Sequence, residues 1–216
     1  MIVPEFFYVL GAILGDGCIY FWRHLYQVWV HGEQEFVEKY ADKVSKCLPL
    51  HRQVPSYKRR NVNVSFVKIN NAELYFWVRN IRADLREIQS LLNIGNRNVN
   101  ALQFMEGFFD AEGCVKIIND KARTIPKICL DFTNTNLALQ QIVRLLLLEE
   151  LGIESGISIQ NPGGNRKKTA YHLRIYRKNG VRKFVENIPT IKMKGDKLDL
   201  VKKWLEKENW RGKANV

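Results

Sequence analysis

The sequence has few acidic residues, no close pair of cysteines and no long apolar run. No uncharged stretch of about 18 residues and no charged-then-apolar leader is present, so neither a transmembrane helix nor a secretory signal is expected. We expect an intracellular protein with free thiols, cytoplasmic in a prokaryote, with no membrane partner. The cysteines are too far apart for the CxxC spacing of a zinc ribbon: Cys18, Cys47, Cys114 and Cys129.

Positive charge is in clear excess. The 216 residues include 34 Lys and Arg against 22 Asp and Glu, which gives a net charge of +12. Several surface cations together attract phosphate groups and release their counterions, so this balance favours a nucleic acid partner. A merely soluble basic protein, or one that touches an anionic membrane surface, is the alternative on charge alone.

Two similar stretches stand out, FYVLGAILGDGC at 7–18 and ALQFMEGFFDAEGC at 101–114. Both read as apolar helices that end in an acid and a glycine. Glu112 follows Asp16 at an offset of 96 residues, and the same offset relates Gly107 to Gly11. The chain therefore contains an internal duplication.

The small residues of each stretch are four positions apart and so lie on one helix face. A glycine inside a helix lowers helix stability by about 1 kcal/mol relative to alanine. Close approach between two helices is a physical reason for glycine at these positions. We predict a helix interface formed by Gly11, Gly15, Gly107 and Ala111. This pairing would bring Asp16 and Glu112 together at adjacent helix C-termini.

Two acids at helix C-termini are electrostatically unfavourable, because the helix dipole places partial negative charge there. A cation between them would relieve the repulsion, and hard oxygen ligands suit Mg²⁺ best, with Mn²⁺ or Ca²⁺ as alternatives. A metal carboxylate site beside a phosphate-binding surface indicates phosphodiester hydrolysis. For a single copy, an Asp-Gly turn without function would be the better interpretation; the duplication favours the metal site.

Hydrophobic periodicity predicts the same order in both halves: helix, hairpin, helix, hairpin, helix. The predicted segments are 5–15, 20–31, 33–48, 52–69 and 71–92, then a linker at 93–98, then 100–111, 115–133, 134–151, 156–177 and 180–208. We predict an α+β protein of two pseudo-symmetric αββαββα halves, residues 1–96 and 97–216. Each half would be a four-stranded antiparallel sheet with helices on one face, and the paired motif helices would join the halves into a DNA-binding saddle.

Alternation along the strands predicts which side chains leave the core. In the first half we expect Val28, Val30 and Phe66 to face the core. Ser65, which alternates with Phe66, is expected on the open face. In the second half Ile128, Leu130 and Phe132 are expected inward, and Lys127, Cys129, Asp131 and Thr133 outward.

LGAILGDG and MEGFFDAEG resemble the two signature helices of LAGLIDADG homing endonucleases in their monomeric, double-motif form. The resemblance covers both motifs, the repeat length and the order of elements, and the small archaeal intron-encoded members are the most similar type. It implies that Asp16 and Glu112 are the metal-binding catalytic acids, with the carbonyls of Gly15 and Ala111 as auxiliary ligands. Leu14 departs from the pattern, since the signature has there an earlier Asp that caps the helix interface and is not catalytic.

The resemblance also implies the partners and the reaction. The sheets would lie in successive major grooves of a long, asymmetric double-stranded DNA site, and a monomer would cut both strands with Mg²⁺, with Ca²⁺ as a non-catalytic substitute. Other members place a Lys or Gln near each metal centre, for which the candidates are Gln27, Lys116, Lys127, Lys192 and Lys194. Any of these could instead be an ordinary solvated side chain.

Side chains on open-face strands and hairpin tips are the candidates for DNA contacts, since Asn and Gln pair with adenine and Arg with guanine in the major groove. They are Gln27, Trp29, Arg59, Arg60, Asn61, Asn63, Ser65, Lys127, Asp131, Arg166, Lys168, His172, Arg174 and Tyr176. The predicted function is a site-specific, metal-dependent DNA endonuclease. An RNA maturase that assists splicing of a host intron, or a catalytically silent DNA-binding protein, is the alternative.

Overall fold

Two helices run side by side through the centre of the computed structural model, which describes residues 2–48, 56–58, 64–118, 127–164 and 167–206. Helix α1 spans Pro4–Asp16 and helix α5 spans Arg97–Glu112. Pro4 suits the first turn of α1, where its missing N–H leaves no bond unmade. Both helices end where the chain becomes extended at a glycine, Gly17 or Gly113.

The two helices approach so closely that side chains are excluded from their interface. A Cβ atom on Gly107 would lie 2.0 Å from the carbonyl oxygen of Tyr8, and one on Gly11 would lie 2.2 Å from that of Phe104. Further along, a Cβ on Gly15 would lie 2.7 Å from the Cβ of Ala111. The small residues of the two motifs therefore form one continuous seam, which brings the C-termini of the helices together.

Each half adds a four-stranded antiparallel sheet of the same topology. The first sheet has the order β1-β2-β4-β3 and the second β5-β6-β8-β7. The strands are β1 (Gly17–Trp22), β2 (Leu25–Gly32), β3 (Ser56–Lys58), β4 (Ser65–Asn70), β5 (Gly113–Ile118), β6 (Lys127–Asn134), β7 (Gly156–Gln160) and β8 (Ala170–Ile175). Strands β1 and β5 start directly after the two motif acids, so the two sheets flank the end of the seam.

The remaining helices cover one face of each sheet. They are α2 (Gln34–Cys47), α3 (Ala72–Ala83), α4 (Glu87–Leu92), α6 (Leu137–Leu151), α7 (Lys178–Asn187) and α8 (Asp196–Glu206). The motif helices are buried nearly all round because they pack between these layers and each other. Within the described part of the chain, no helix combines the length and apolarity needed to cross a bilayer.

The predicted fold class is confirmed, with small shifts at element ends. Helix α5 begins at Arg97 rather than residue 100, because the side chain of Asn96 accepts the backbone N–H of Val99 at 3.3 Å and caps the helix. The cap of α6 is Asn136, whereas Asn134 ends strand β6. Inward Val28, Val30, Ile128, Leu130 and Phe132 are all buried, as expected.

The predicted faces of Ser65 and Phe66 were wrong. Val67 and Ile69 are the β-branched residues of β4, and they pack into the core at 0% and 4% exposure. Because strand faces alternate, Ser65 joins them on the helix side and is buried, while Phe66 turns to the outer face beside His31 of β2. Ser65 is therefore not on the open face that a DNA contact would require.

Candidate active site at the ends of the paired helices

Asp16 and Glu112 are the last residues of α1 and α5 and repel each other across the end of the seam. Burial and then the charge of Asp16 raise the pKa of Glu112 from 4.5 to about 7. Partial loss of hydration at the helix end likewise raises the pKa of Asp16, although this residue is more exposed than Glu112. Each motif helix thus ends in a carboxylate that is partly removed from water, and the two negative charges repel each other.

One cation from the second half acts on both acids. Lys192 lowers the pKa of Asp16 and that of Glu112, in each case against the larger effect of burial. His31, at the end of β2, lowers the pKa of Asp16 as well. Among the five auxiliary candidates, Lys192 is the one whose charge the structure brings to the acids.

Lys192 lies in the α7–α8 loop, which a buried carboxylate holds against the seam. Asp110 is fully buried and accepts the backbone N–H of Ile191 at 3.0 Å, together with a hydroxyl hydrogen bond from Thr190. The same carboxylate accepts the hydroxyl of Tyr8 at 2.9 Å. Asp110 is the earlier Asp of the second motif, so this position anchors the loop as well as the helix pair.

The network around Asp110 also joins the two halves. Lys39 of α2 lies 2.7 Å from Asp110 and 2.6 Å from Glu106, both on α5. The Lys39 ammonium also donates to the carbonyl oxygen of Pro189 at 3.0 Å. Leu14 occupies the corresponding position of the first motif and cannot make such bonds, so the anchoring is confined to one side of the seam.

Two further polar groups orient the site, and sequence reasoning missed both. Asn134 donates to Oε1 of Glu112 at 2.8 Å and lowers the pKa of that carboxyl, against burial. Arg82 of α3 donates to the carbonyl oxygens of Ile13 at 3.0 Å and Gly17 at 2.8 Å. It therefore supplies positive charge at the C-terminus of α1. The contact to Ile13 spans 69 residues, and no local pattern signals it.

A cleft of about 800 Å³ opens beside Glu112. Gly15 and Glu112 form part of its wall, and Arg82, Lys167 and Lys168 bring cations to it. Lys168, a predicted DNA contact, therefore lines the same cleft as Glu112. A cleft lined by cations is suited to a phosphate backbone.

The residues present fit a divalent metal. Asp16 and Glu112 offer hard carboxylate oxygens whose mutual repulsion a cation would relieve, and the backbone of Gly15 and Ala111 lies at the same end of the seam. Within the described ranges, no group of three His, Cys, Asp or Glu residues is assembled. Two protein carboxylates leave coordination positions for water and for phosphate oxygens, which is the pattern that Mg²⁺ prefers.

The other four auxiliary candidates contact partners other than the two acids. Gln27 is buried and accepts the indole N–H of Trp29 at 3.1 Å. Lys116 forms an ion pair with Asp131. The ammonium of Lys127 lies 4.9 Å from the ring centroid of Tyr176, and Lys194 pairs with Glu35 at the start of α2.

The outer face of the second sheet is an ionic network centred on Asp131. This carboxylate is fully buried, yet it contacts Lys116, the ring of His172 at 3.2 Å and Arg174 at 3.2 Å. The Lys116 hydrogen bond and the neighbouring cations outweigh burial and hold its pKa below the usual range. Asp131, predicted as a DNA contact, is thus placed to orient the cations of this face.

Trp29, the remaining described DNA-contact candidate of the first sheet, lies on its outer face next to Phe66, with ring centroids 5.6 Å apart. Five other candidates lie outside the described residues: Arg59, Arg60, Asn61, Asn63 and Arg166.

Comparison with known proteins agrees with this architecture. Residues 100–189 match the family model described as a LAGLIDADG-like domain. An uncharacterized protein of Methanocaldococcus jannaschii is 26% identical over 169 residues, which are 76% of this chain and 60% of that protein. The chain therefore spans less than two thirds of the length of this relative.

Two solved structures have the same fold. The homing endonuclease I-DmoI in complex with DNA and Mn is 22% identical, with a TM-score of 0.58 over 86% of this chain and 96% of that chain. The N-terminal LAGLIDADG domain of DUF199/WhiA is 13% identical, with a TM-score of 0.57 over 92% of this chain and 88% of that chain. At such identities the likeness concerns the fold alone. Residues 100–189 thus match a LAGLIDADG-like domain, and the chain as a whole shares the fold of these two structures.

Proposed function

We propose that the protein is a site-specific endonuclease that hydrolyses both strands of duplex DNA with a divalent metal. The observation that carries this proposal is the pair of acids at the ends of the packed helices, where mutual repulsion and burial raise the pKa of Glu112 to about 7. Two carboxylates held in this way are costly to the fold, and binding a cation is the function that explains them.

Asp16 and Glu112 would hold Mg²⁺, or Mn²⁺ in its place, with the carbonyls of Gly15 and Ala111 as auxiliary ligands. When bound, the metal supplies an activated water and stabilises negative charge on the leaving oxygen. Lys192 contributes positive charge where the phosphate accumulates negative charge, and Asp110 keeps its loop in place. Asn134 orients Glu112 through its hydrogen bond.

The DNA would lie over the outer faces of the two sheets, which begin at the acids. We assign residues 1–96 and 97–216 to the two halves and expect one chain to act as a monomer on an asymmetric site, because its halves differ. The cations Lys116, Lys168 and Arg174 support this orientation, since two of them lie on the second outer face and Lys168 lines the cleft.

The test uses a plasmid that carries the host gene without its intervening sequence, incubated with the purified protein and Mg²⁺. The expected result is one double-strand break at a fixed position, with short 3′ overhangs. Asp16→Asn and Glu112→Gln should each keep DNA binding, measured by gel shift in Ca²⁺, and lose cleavage. An uncut plasmid together with stimulated splicing of the host intron would instead establish the maturase function.

A further inference from the structure

The outer faces of the two sheets can be compared position by position, because both sheets have the same register relative to the motif acids. Two residues past Asp16, strand β1 pairs with Trp29 of β2. Two residues past Glu112, strand β5 pairs with Asp131 of β6. Trp29 and Asp131 are therefore equivalent, and base pairs that face them would lie at similar distances on either side of the cleavage centre.

The two faces share their strand geometry and differ in their chemistry. The strand pairings give three further pairs of equivalent residues: Tyr20 and Lys116, Phe66 and His172, and Lys68 and Arg174. An aromatic ring of the first sheet is matched by a polar or charged side chain of the second at each place except the last. That last pair is basic in both sheets, so it does not by itself distinguish the halves.

On the second sheet, the buried carboxylate of Asp131 holds two cations above it. Lys116 forms an ion pair with this carboxylate, and Nε of Arg174 donates to it at 3.2 Å. The side chain of Asp131 is fully buried, whereas those of Lys116 and Arg174 are 40% and 27% exposed. DNA that lies over this face would therefore meet the two cations and not the carboxylate.

Arg174 keeps hydrogen-bond donors for a base. An arginine has five N–H donors. Arg174 uses Nε on Asp131 and Nη1 on the hydroxyl of Tyr176 at 3.1 Å, and these contacts restrict the plane of its guanidinium. The remaining donors suit guanine, which presents two acceptors in the major groove and is the usual partner of Arg and Lys there.

On the first sheet, the equivalent places present apolar rings. Trp29 and Phe66 stack with an interplanar angle of 15°, and Tyr20 is 53% exposed. The ammonium of Lys68 lies 5.0 Å from the ring centroid of Trp29, so the cation of this face is held against a ring. Such rings can pack on the methyl group of thymine, whereas the edge of a G·C pair would lose hydration against them without gaining hydrogen bonds.

We propose that the two halves read half-sites of opposite composition, with G·C pairs facing the second sheet and A·T pairs facing the first at mirror-related positions. Arg174 and Lys116 are specificity-determining residues, and Asp131 is a positioning residue that acts through them. Trp29 has the matching role on the first sheet. The proposal rests on the proposed function, because duplex DNA lies over both outer faces, and it adds which base pairs each face accepts.

The experiment is a binding selection from a library of randomised DNA duplexes, carried out with the full chain in Ca²⁺. The retained duplexes are sequenced and aligned, so base preferences are measured apart from strand cutting. We expect one half of the enriched site to prefer G·C pairs and the other to prefer A·T pairs at mirror-related positions, each by about ten-fold.

Variants assign each half-site to a sheet. Arg174→Ala should reduce the guanine preference to about two-fold or less and leave the A·T half unchanged, and Trp29→Ala should do the reverse. Asp131→Asn should weaken the guanine preference with Arg174 still present. Lys116→Met tests the same network should Asp131→Asn fail to fold, as judged by circular dichroism. The control is Arg144→Ala, which removes an exposed arginine of α6 and should alter neither half-site.

Equal base preferences in the two halves would overturn the proposal, and so would a guanine preference that the folded Arg174→Ala and Lys116→Met variants retain. Cleavage of the selected duplex in Mg²⁺ is scored separately. A duplex with the predicted halves that is bound and not cut would reject the nuclease proposal and support this one. A duplex that is cut although its halves have the same composition would do the opposite, and a library without any enriched sequence would overturn both.

Discussion

Replacing Glu112 with glutamine should stabilise the protein at high pH. Burial and the nearby charge of Asp16 raise the pKa of Glu112 from 4.5 to about 7, so the folded state holds this proton more tightly than the unfolded chain does. Ionising the carboxyl therefore costs free energy in the folded state only. Stability should fall as pH rises from about 4.5 to about 7 and then level off.

The magnitude follows from the two pKa values. A difference between 4.5 and about 7 corresponds to about 3 kcal/mol at pH 8, as an upper limit for a group that keeps some contact with water. Glu112→Gln removes this cost and keeps an oxygen for the hydrogen bond from Asn134. The variant should exceed the wild type in stability at pH 8 and approach it near pH 4.

The assay is urea unfolding at pH 4, 5, 6, 7 and 8 in the presence of a chelator, with Glu186→Gln as the control. Glu186 is exposed on α7, so its replacement should change the free energy of unfolding by less than about 0.5 kcal/mol at every pH. Addition of Mg²⁺ at pH 8 should stabilise the wild type more than Glu112→Gln. A Glu112→Gln stability difference that is independent of pH would refute the electrostatic reasoning.

Four further substitutions, one of them a control, test the fold by the same urea assay. Gly107→Val should cost more than about 3 kcal/mol, because its Cβ would overlap the carbonyl of Tyr8, whereas Gly156→Ala, with open space around it, should be nearly neutral. Asp110→Asn should cost about 2 kcal/mol and expose the α7–α8 loop to proteolysis; a loop that stays protected would contradict its anchoring. His24→Gly should stabilise by about 1 kcal/mol, because His24 has a φ of 66°, and a loss of stability would show that this turn is not strained.

The paired helices and the order of strands could be predicted because their signals are local. The spacing of Gly11 and Gly15, repeated at Gly107 and Ala111, defines a helix face, and face alternation defines most of each sheet. The fusion of two similar halves also let each motif support the interpretation of the other. Ser65 and Phe66 were misassigned because their segment has apolar residues in both phases, and the buried phase is decided by packing against the helices.

The surroundings of the acids could not be predicted in the same way. Arg82, Asn134 and Asp110 act through contacts that join separate elements, such as the hydrogen bond from Arg82 to the end of α1. The resemblance identified Lys192 only as one of five candidates. Its place beside the acids depends on a loop that Asp110 holds from another helix, and the sequence shows no sign of that contact.

The central claim is that two helix-end carboxylates form one divalent cation site. Electron paramagnetic resonance of Mn²⁺, titrated with the protein at pH 8, measures this most directly. We expect the wild type to bind Mn²⁺, each of Asp16→Asn and Glu112→Gln to bind it at least about ten-fold more weakly, and Glu186→Gln to match the wild type. Mn²⁺ binding of wild-type strength in the Asp16→Asn, Glu112→Gln double variant would contradict the account.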